Sequence, residues 1–143
     1  MFEIRNPDFA ERVEKIFAGQ SVMKYIGAQL ARIEAGAVDI ELAYQKFLTQ
    51  QNGFVHAGII TTIADSACGY AAFSLMPDDA DVLSVEFKVN LLAPAIGERF
   101  LAEGRVLRAG KTLTVARADV FALTKAQRKQ IAAMQATIMT IRK

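Results

Sequence analysis

One cysteine and one histidine in 143 residues leave little room for two common kinds of chemistry. Cys68 has no partner for an internal disulfide, which suits a reducing compartment. Cys68 and His56 are together too few for a zinc site, so no metal is expected. The formal charge is only +2, too slight to argue for nucleic acid. No uninterrupted apolar run reaches the roughly 18 residues that read as a membrane span. The stretch Ala57–Met76 is broken by Asp65 and several hydroxyls. The opening MFEIRNPDFAERVEK carries acids and no continuous apolar core, unlike a signal peptide. There is no Gly-x-Ser-x-Gly elbow to present a hydrolase serine. Gly110-Lys111-Thr112 lacks the upstream glycine of a phosphate-binding loop, which argues against nucleotide hydrolysis. With 52% hydrophobic and 22% charged residues, the chain reads as a single cytoplasmic globular domain over residues 1–143.

What is present is concentrated around one acid. Between Ala57 and Met76, in AGIITTIADSACGYAAFSLM, Asp65 is the only charged side chain. The apolar residues Ile59, Ile60, Ile63, Ala64, Ala67, Cys68, Ala71, Ala72 and Leu75 recur at helical spacing, so a long buried helix is expected. An unpaired carboxylate buried there is costly. Either a neighbouring hydroxyl such as Thr61, Thr62 or Tyr70 satisfies Asp65, or the residue performs chemistry. Thr62, Asp65, Ser66 and Gly69 fall together opposite the apolar stripe. Small side chains at that position allow another element to approach closely.

The rest of the chain supplies walls for this helix. Asn6-Pro7-Asp8 reads as a helix start, with Asn as cap and Pro at the first helical position. The stripe Phe9, Val13, Ile16 and Phe17 follows, and a short segment, Ser21 to Ile26, stops at Gly27. Strands are expected over Ala28–Ile33, Val38–Tyr44, Leu83–Leu91, Phe100–Leu107, Leu113–Leu123 and Ile131–Ile141. In the third, alternation places Leu83, Val85, Phe87, Val89 and Leu91 on one face and Ser84 with the polar residues on the other. Short connections favour antiparallel neighbours. The class is therefore α+β, one antiparallel sheet wrapped around a long central helix.

The helix is approached through Gln50-Gln51-Asn52-Gly53-Phe54-Val55-His56-Ala57-Gly58. Such an end offers unpaired backbone N–H groups and the positive end of the helix dipole. That is a setting for an oxyanion, because the donors are already in place when the charge develops. Asp65 lies about 12 Å further along the axis, at ~1.5 Å per residue. It therefore cannot serve a carbonyl held at its own helix start. If the two act together, Asp65 serves the helix start of a second copy, across a two-fold axis that generates two equivalent sites.

The pattern Gln50-x-x-Gly53-x-x-His56-Ala57-Gly58, followed by Asp65, resembles the hotdog-fold acyl-CoA thioesterases, in particular the phenylacetate-pathway (PaaI-like) branch. The likeness extends from about Tyr25 to the C-terminus and includes Leu83-Ser84-Val85-Glu86-Phe87, Ala93-Pro94-Ala95-Ile96-Gly97 and Gly110-Lys111-Thr112-Leu113. It implies a hotdog fold that hydrolyses an acyl- or aryl-CoA thioester to free acid and coenzyme A. Asp65 would be nucleophile or general base, the Ala57 N–H would polarise the thioester carbonyl, and His56 would shape that pocket. Gln50 falls where relatives place an Asn that positions water or substrate, and Ser84 where some have a serine supporting the attacking water. Asn52 and Gly58 would contact substrate. Arg108, Gly110, Lys111 and Thr112 would meet the nucleotide of coenzyme A. The assembly would be a homodimer or homotetramer; no cofactor is implied, since coenzyme A belongs to the substrate.

Two departures stand out. His-Ala-Gly replaces the usual His-Gly-Gly, which keeps the N–H while altering the pocket. Gln50 replaces Asn with Asn52 two residues on, so either amide is a candidate for positioning. Two other readings stay open: a hotdog-type 3-hydroxyacyl thioester dehydratase pairing His56 with Asp65, and a non-catalytic acyl-CoA-binding module. Cys68 is expected to be a small core residue. Phe54, Tyr70 and Phe73 are expected either to line an acyl pocket or to fill the core.

Overall fold

The computed structural model describes residues 2–142. Helix α1 spans Phe9–Gly19 and α2 Ser21–Ile26; strands β1 (Ala28–Glu34) and β2 (Ala37–Ala43) follow. A short 3-10 turn over Lys46–Leu48 leads to α3, Ala57–Phe73. The chain ends with β3 (Ala80–Leu91), β4 (Arg99–Arg108), β5 (Leu113–Leu123) and β6 (Arg128–Arg142). The strands form one antiparallel sheet in the order β1-β2-β4-β5-β6-β3. It curls around α3, which packs against β2, β3, β4, β5 and β6. This is the α+β arrangement read from the sequence, with strand limits displaced by up to three residues.

The core lies between α3 and the concave face of the sheet. Ile60, Ile63, Ala64, Ala67, Cys68, Ala71 and Ala72 meet Ile40, Phe100, Ala102, Ala118, Val120, Met134 and Ile138, all buried. The small residues of α3 let the helix settle directly on the strands. At Gly104 of β4 a Cβ would stand 2.3 Å from the Ala67 carbonyl oxygen. Any side chain there would lift the helix off the sheet.

The N-terminal helix starts later than its signals suggested. Asn6 is buried, and its Oδ1 accepts a hydrogen bond from Asp8 N at 2.8 Å. That local Asx turn competes with helix capping, so α1 begins at Phe9. From α1, Arg12 donates to the carbonyls of Met76, Pro77, Asp78 and Ala80 at 3.0–3.4 Å and lies over the Phe73 ring. One guanidinium thus satisfies the carbonyls that follow α3 and fixes where β3 begins.

Strand β3 differs from its expected alternation in a way that matters for the site. Its pairing with β6 shifts register between Ser84 and Glu86, a β-bulge centred on Val85. Residues directly opposed across a ladder share a face. Ser84 opposes Ile138, while Phe87, Val89 and Leu91 oppose Ala136, Met134 and Ala132, all inward residues of β6. Leu83 opposes Met139 on the outer face. The extra residue reverses the phase and turns Ser84 toward α3, so it is not on the strand's polar side.

Candidate functional site

The loop before α3 is held by main-chain bonds from His56 N to Leu48 O (2.9 Å) and from Val55 N to Ala95 O (3.2 Å). Gly53, with φ +82°, lets the chain turn within it. His56 is the N-cap, and its Nδ1 accepts from Gly58 N at 2.8 Å. Ile59 N and Ile60 N both reach the His56 carbonyl. Of the orphan donors in this first turn, only the Ala57 N–H has no partner among the described residues. His56 therefore acts as the cap that takes up the neighbouring donor. Because Nδ1 accepts, the ring proton of the neutral imidazole is on Nε2.

Ala57 borders a cavity of about 410 Å³ whose walls are largely apolar: Phe54, Ile60, Leu91, Leu92 and Ile131 among them. Among the described residues Gln50 supplies its one polar side chain, and Gln50 Oε1 also accepts from Asn52 N. Asn52 lies on another surface, beside Tyr44, Gly53 and Ile96. Of the two candidate amides, Gln50 is the one at the Ala57 cavity. Gly58 is exposed on the outer side of the cap.

Asp65 belongs to a second hollow of about 340 Å³ on the flank of α3, with Gln20, Ser66, Gly69, Tyr70 and Ser84 around it. The carboxylate is half-buried, and Asp65 Oδ1 accepts from Ser84 Oγ at 2.7 Å. None of the hydroxyls considered from sequence performs that task. Thr61 and Thr62 donate back to the Ala57 and Gly58 carbonyls, and Tyr70 donates to Gln20 Oε1 at 2.9 Å. Burial pushes the Tyr70 hydroxyl up to about 12, so it remains a donor at neutral pH. The buried Cys68 thiol is likewise pushed up to about 12, chiefly by burial and then by the charges of Asp65 and Asp119. Such a thiol is a core group, not a nucleophile.

The chain thus brings Ala57, Gln50 and His56 together at the start of α3, and Asp65 and Ser84 together at its middle. Arg108, Lys111 and Thr112 sit exposed on the β4–β5 hairpin. Gly110 adjoins Leu75 and Met76, beyond the opposite end of α3 from Ala57. Phe54 lines the apolar cavity, whereas Phe73 is core and Tyr70 borders the polar hollow. Among the described residues no group of three His, Cys, Asp or Glu is placed to hold a metal. Gln20 escaped the sequence reading. Its one signal is position: it stands at the N-cap of α2, where Ser, Thr, Asp or Asn is favoured, and its side chain makes no cap bond.

The sheet's two edges differ. β1 runs beneath α1 and α2, and its exposed residues are Gln29, Ala31, Arg32 and Glu34. Among the described residues β3 has a bare edge, and it exposes Leu83, Val85, Phe87 and Leu91 together with Ser84, Glu86, Lys88 and Asn90. An edge strand of this length, with its unpaired main-chain N–H and C=O groups, is a template for pairing with another chain.

Comparison with known proteins adds the chemistry's class. A family profile described as the thioesterase superfamily matches residues 52–128, a span holding Ala57, Asp65 and Ser84. The crystal structure of a thioesterase family protein from Silicibacter pomeroyi superposes with a TM-score of 0.93 at 49% identity, covering 94% of this chain and 99% of that one. A protein of Saccharolobus solfataricus with a provisional esterase name is 32% identical over 109 residues, 76% of this chain and 77% of its own. The PaaI protein from the phenylacetic acid degradation operon of Escherichia coli superposes at 0.86 with 16% identity, over 97% and 96% of the two chains. At that identity it shows a shared fold alone.

Proposed function

The chain belongs to the thioesterase superfamily, with its hotdog fold, and from that premise we propose that it hydrolyses an acyl- or aryl-CoA thioester at a site completed by a second copy of itself. The observation that carries this reading is the division of labour along α3. The free Ala57 N–H lies at one cavity and the Asp65–Ser84 pair at another, about 12 Å apart on a rigid helix. Neither cavity alone holds both a donor for the developing oxyanion and a base. Two helices set antiparallel about a two-fold axis would bring each Asp65 to the other's Ala57. The unpaired edge of β3 supports such pairing, since two such edges joined across the axis would continue the sheet.

In that arrangement the thioester oxygen rests on the Ala57 N–H, with the α3 dipole behind it. Asp65 of the partner subunit then either removes a proton from water as it adds to the carbonyl, or attacks the carbonyl itself, expelling the thiolate to form a mixed anhydride that water hydrolyses to the free acid and Asp65. In both routes the C–S bond breaks, a C–O bond replaces it, and the proton leaves with the thiol of coenzyme A. Ser84 holds Asp65 in place through the bond to Oδ1. Because Gly110 lies beyond the far end of α3, such a pairing would also carry the Arg108–Thr112 hairpin toward the other chain's helix start, where Arg108 and Lys111 would meet the phosphates of coenzyme A. Gln50 is favoured over Asn52 for positioning because it borders the Ala57 cavity. No cofactor enters the scheme. No described helix is long and apolar enough to cross a membrane.

A panel of short, medium, long and aryl acyl-CoAs, assayed for thiol release, tests the reading. Turnover of at least one class is expected, with about a 10³-fold loss in Asp65→Asn and no change in oligomeric state. Release of an enoyl product from a 3-hydroxyacyl thioester would instead favour a dehydratase. Acyl-CoA retained unhydrolysed through purification would favour a binding module.

A further inference from the structure

The two cavities that would flank the reacting carbon differ in chemistry. The one at Ala57 is lined by hydrocarbon apart from Gln50. The one at Asp65 is lined by Gln20, Ser66, Tyr70 and Asp81 as well as by Ser84. Tyr70 donates to Gln20 Oε1 at 2.9 Å, and Ser66 Oγ lies 3.5 Å from the same oxygen. Tyr70 therefore occupies the amide oxygen, with Ser66 at the outer limit of hydrogen-bond distance, and the Gln20 NH₂ has no partner among the described residues. Gln20 is itself fixed at the α1–α2 junction, where its backbone N–H reaches Phe17 O at 3.0 Å. The tyrosine that orients the amide is anchored in turn by edge-on contact with Phe17 of α1. This is an amide with its acceptor occupied and two donors on offer, beside the proposed base.

Resting on the thioesterase reading above, we propose that Gln20 is a specificity residue whose NH₂ binds an acceptor oxygen on one arm of the thioester substrate. A thioester of coenzyme A has two sources of such an oxygen. One is a hydroxyl or carbonyl on the acyl group, and the other is an amide carbonyl of the pantetheine arm. Both are the same chemistry at the Gln20 donors. The Asp65 carboxylate in the same hollow disfavours a second carboxylate there, so the oxygen is a neutral one. Tyr70 has a positioning role: it keeps the amide turned so that the donors face the cavity.

The test compares wild type, Gln20→Met and Tyr70→Phe, each first checked for an unchanged melting temperature and oligomeric state. Two kcat/KM ratios are read. The first is for straight-chain acyl-CoAs with and without a hydroxyl at the third carbon or at the chain end. The second is for a coenzyme A thioester against the same acyl group on a simple alkyl thiol that lacks the amides. Loss of one neutral hydrogen bond corresponds to about a five- to tenfold change. If the oxygen is on the acyl group, Gln20→Met lowers the first ratio by that factor and leaves the second alone. If it is on the pantetheine arm, the second ratio falls and the first stays. Tyr70→Phe should move the same ratio by a smaller factor. Both ratios unmoved in a folded Gln20→Met would overturn the subsite, whatever Asp65 does. Full turnover in Asp65→Asn would overturn the underlying reading instead.

Discussion

Two hollows open along the same helix, and each has what the other lacks. The one at the start of α3 has an oriented N–H and apolar walls; the one at its middle has a carboxylate, a supporting hydroxyl and polar walls. A single active site would be expected to gather these groups, because general bases work within hydrogen-bond reach of the proton they take. Separation on a rigid rod cannot be closed by side-chain motion. The comparison teaches that each chain carries the two sets of groups apart, and in the proposed assembly the edge of β3 is where a second chain would bring them together.

Breaking either half should be enough to stop turnover, and the effects should rank by what each group does. Asp65→Asn removes the base and has the largest effect, the roughly 10³-fold loss given above. Ala57→Pro removes the free N–H from the other half. Proline suits the first position of a helix, and His56, at φ −60° and ψ 137°, already has the extended conformation preferred before proline. The helix should therefore survive while kcat falls about 10²–10³-fold. Ser84→Ala leaves the carboxylate in place but unheld, and about a tenfold drop in kcat is expected. The smallest effect sharpens the contrast in the opposite direction. Gly69 borders the polar hollow, and a Cβ there meets nothing within 4 Å. Gly69→Ala should raise stability by about 1 kcal/mol through helix propensity, seen as a higher melting temperature. It should also lower kcat/KM as its methyl enters the hollow.

Much of this architecture was legible because it rests on local periodicity. The apolar stripe of α3, the strand patterns and the glycine punctuation each follow from spacing alone, and the helix-start residues could be named before any coordinates. What escaped depends on non-local geometry. The bulge at Val85 reverses the phase of β3, so Ser84 faces Asp65 although strict alternation puts it on the polar side. Nothing in the composition of residues 83–91 announces that extra residue. Gln20 and Arg12 were missed for a related reason. Arg12 lies within α1 and Gln20 at its junction with α2, each an ordinary polar residue whose partners lie more than 60 and 50 residues away respectively. Asn6 shows the converse: its capping chemistry was read correctly in kind, but it was spent on a turn two residues before the helix.

Mixing the two disabled chains tests the central claim most directly. Asp65→Asn and Ala57→Pro subunits, each inactive alone, are co-refolded in equal amounts and assayed for thiol release. Random pairing gives half mixed dimers, each with one site that draws an intact Asp65 and an intact Ala57 from different chains. About a quarter of wild-type turnover is then expected. A mixture no more active than its parents, with mixed dimers demonstrably present, would contradict the claim that each site takes its base from one chain and its oxyanion donor from the other.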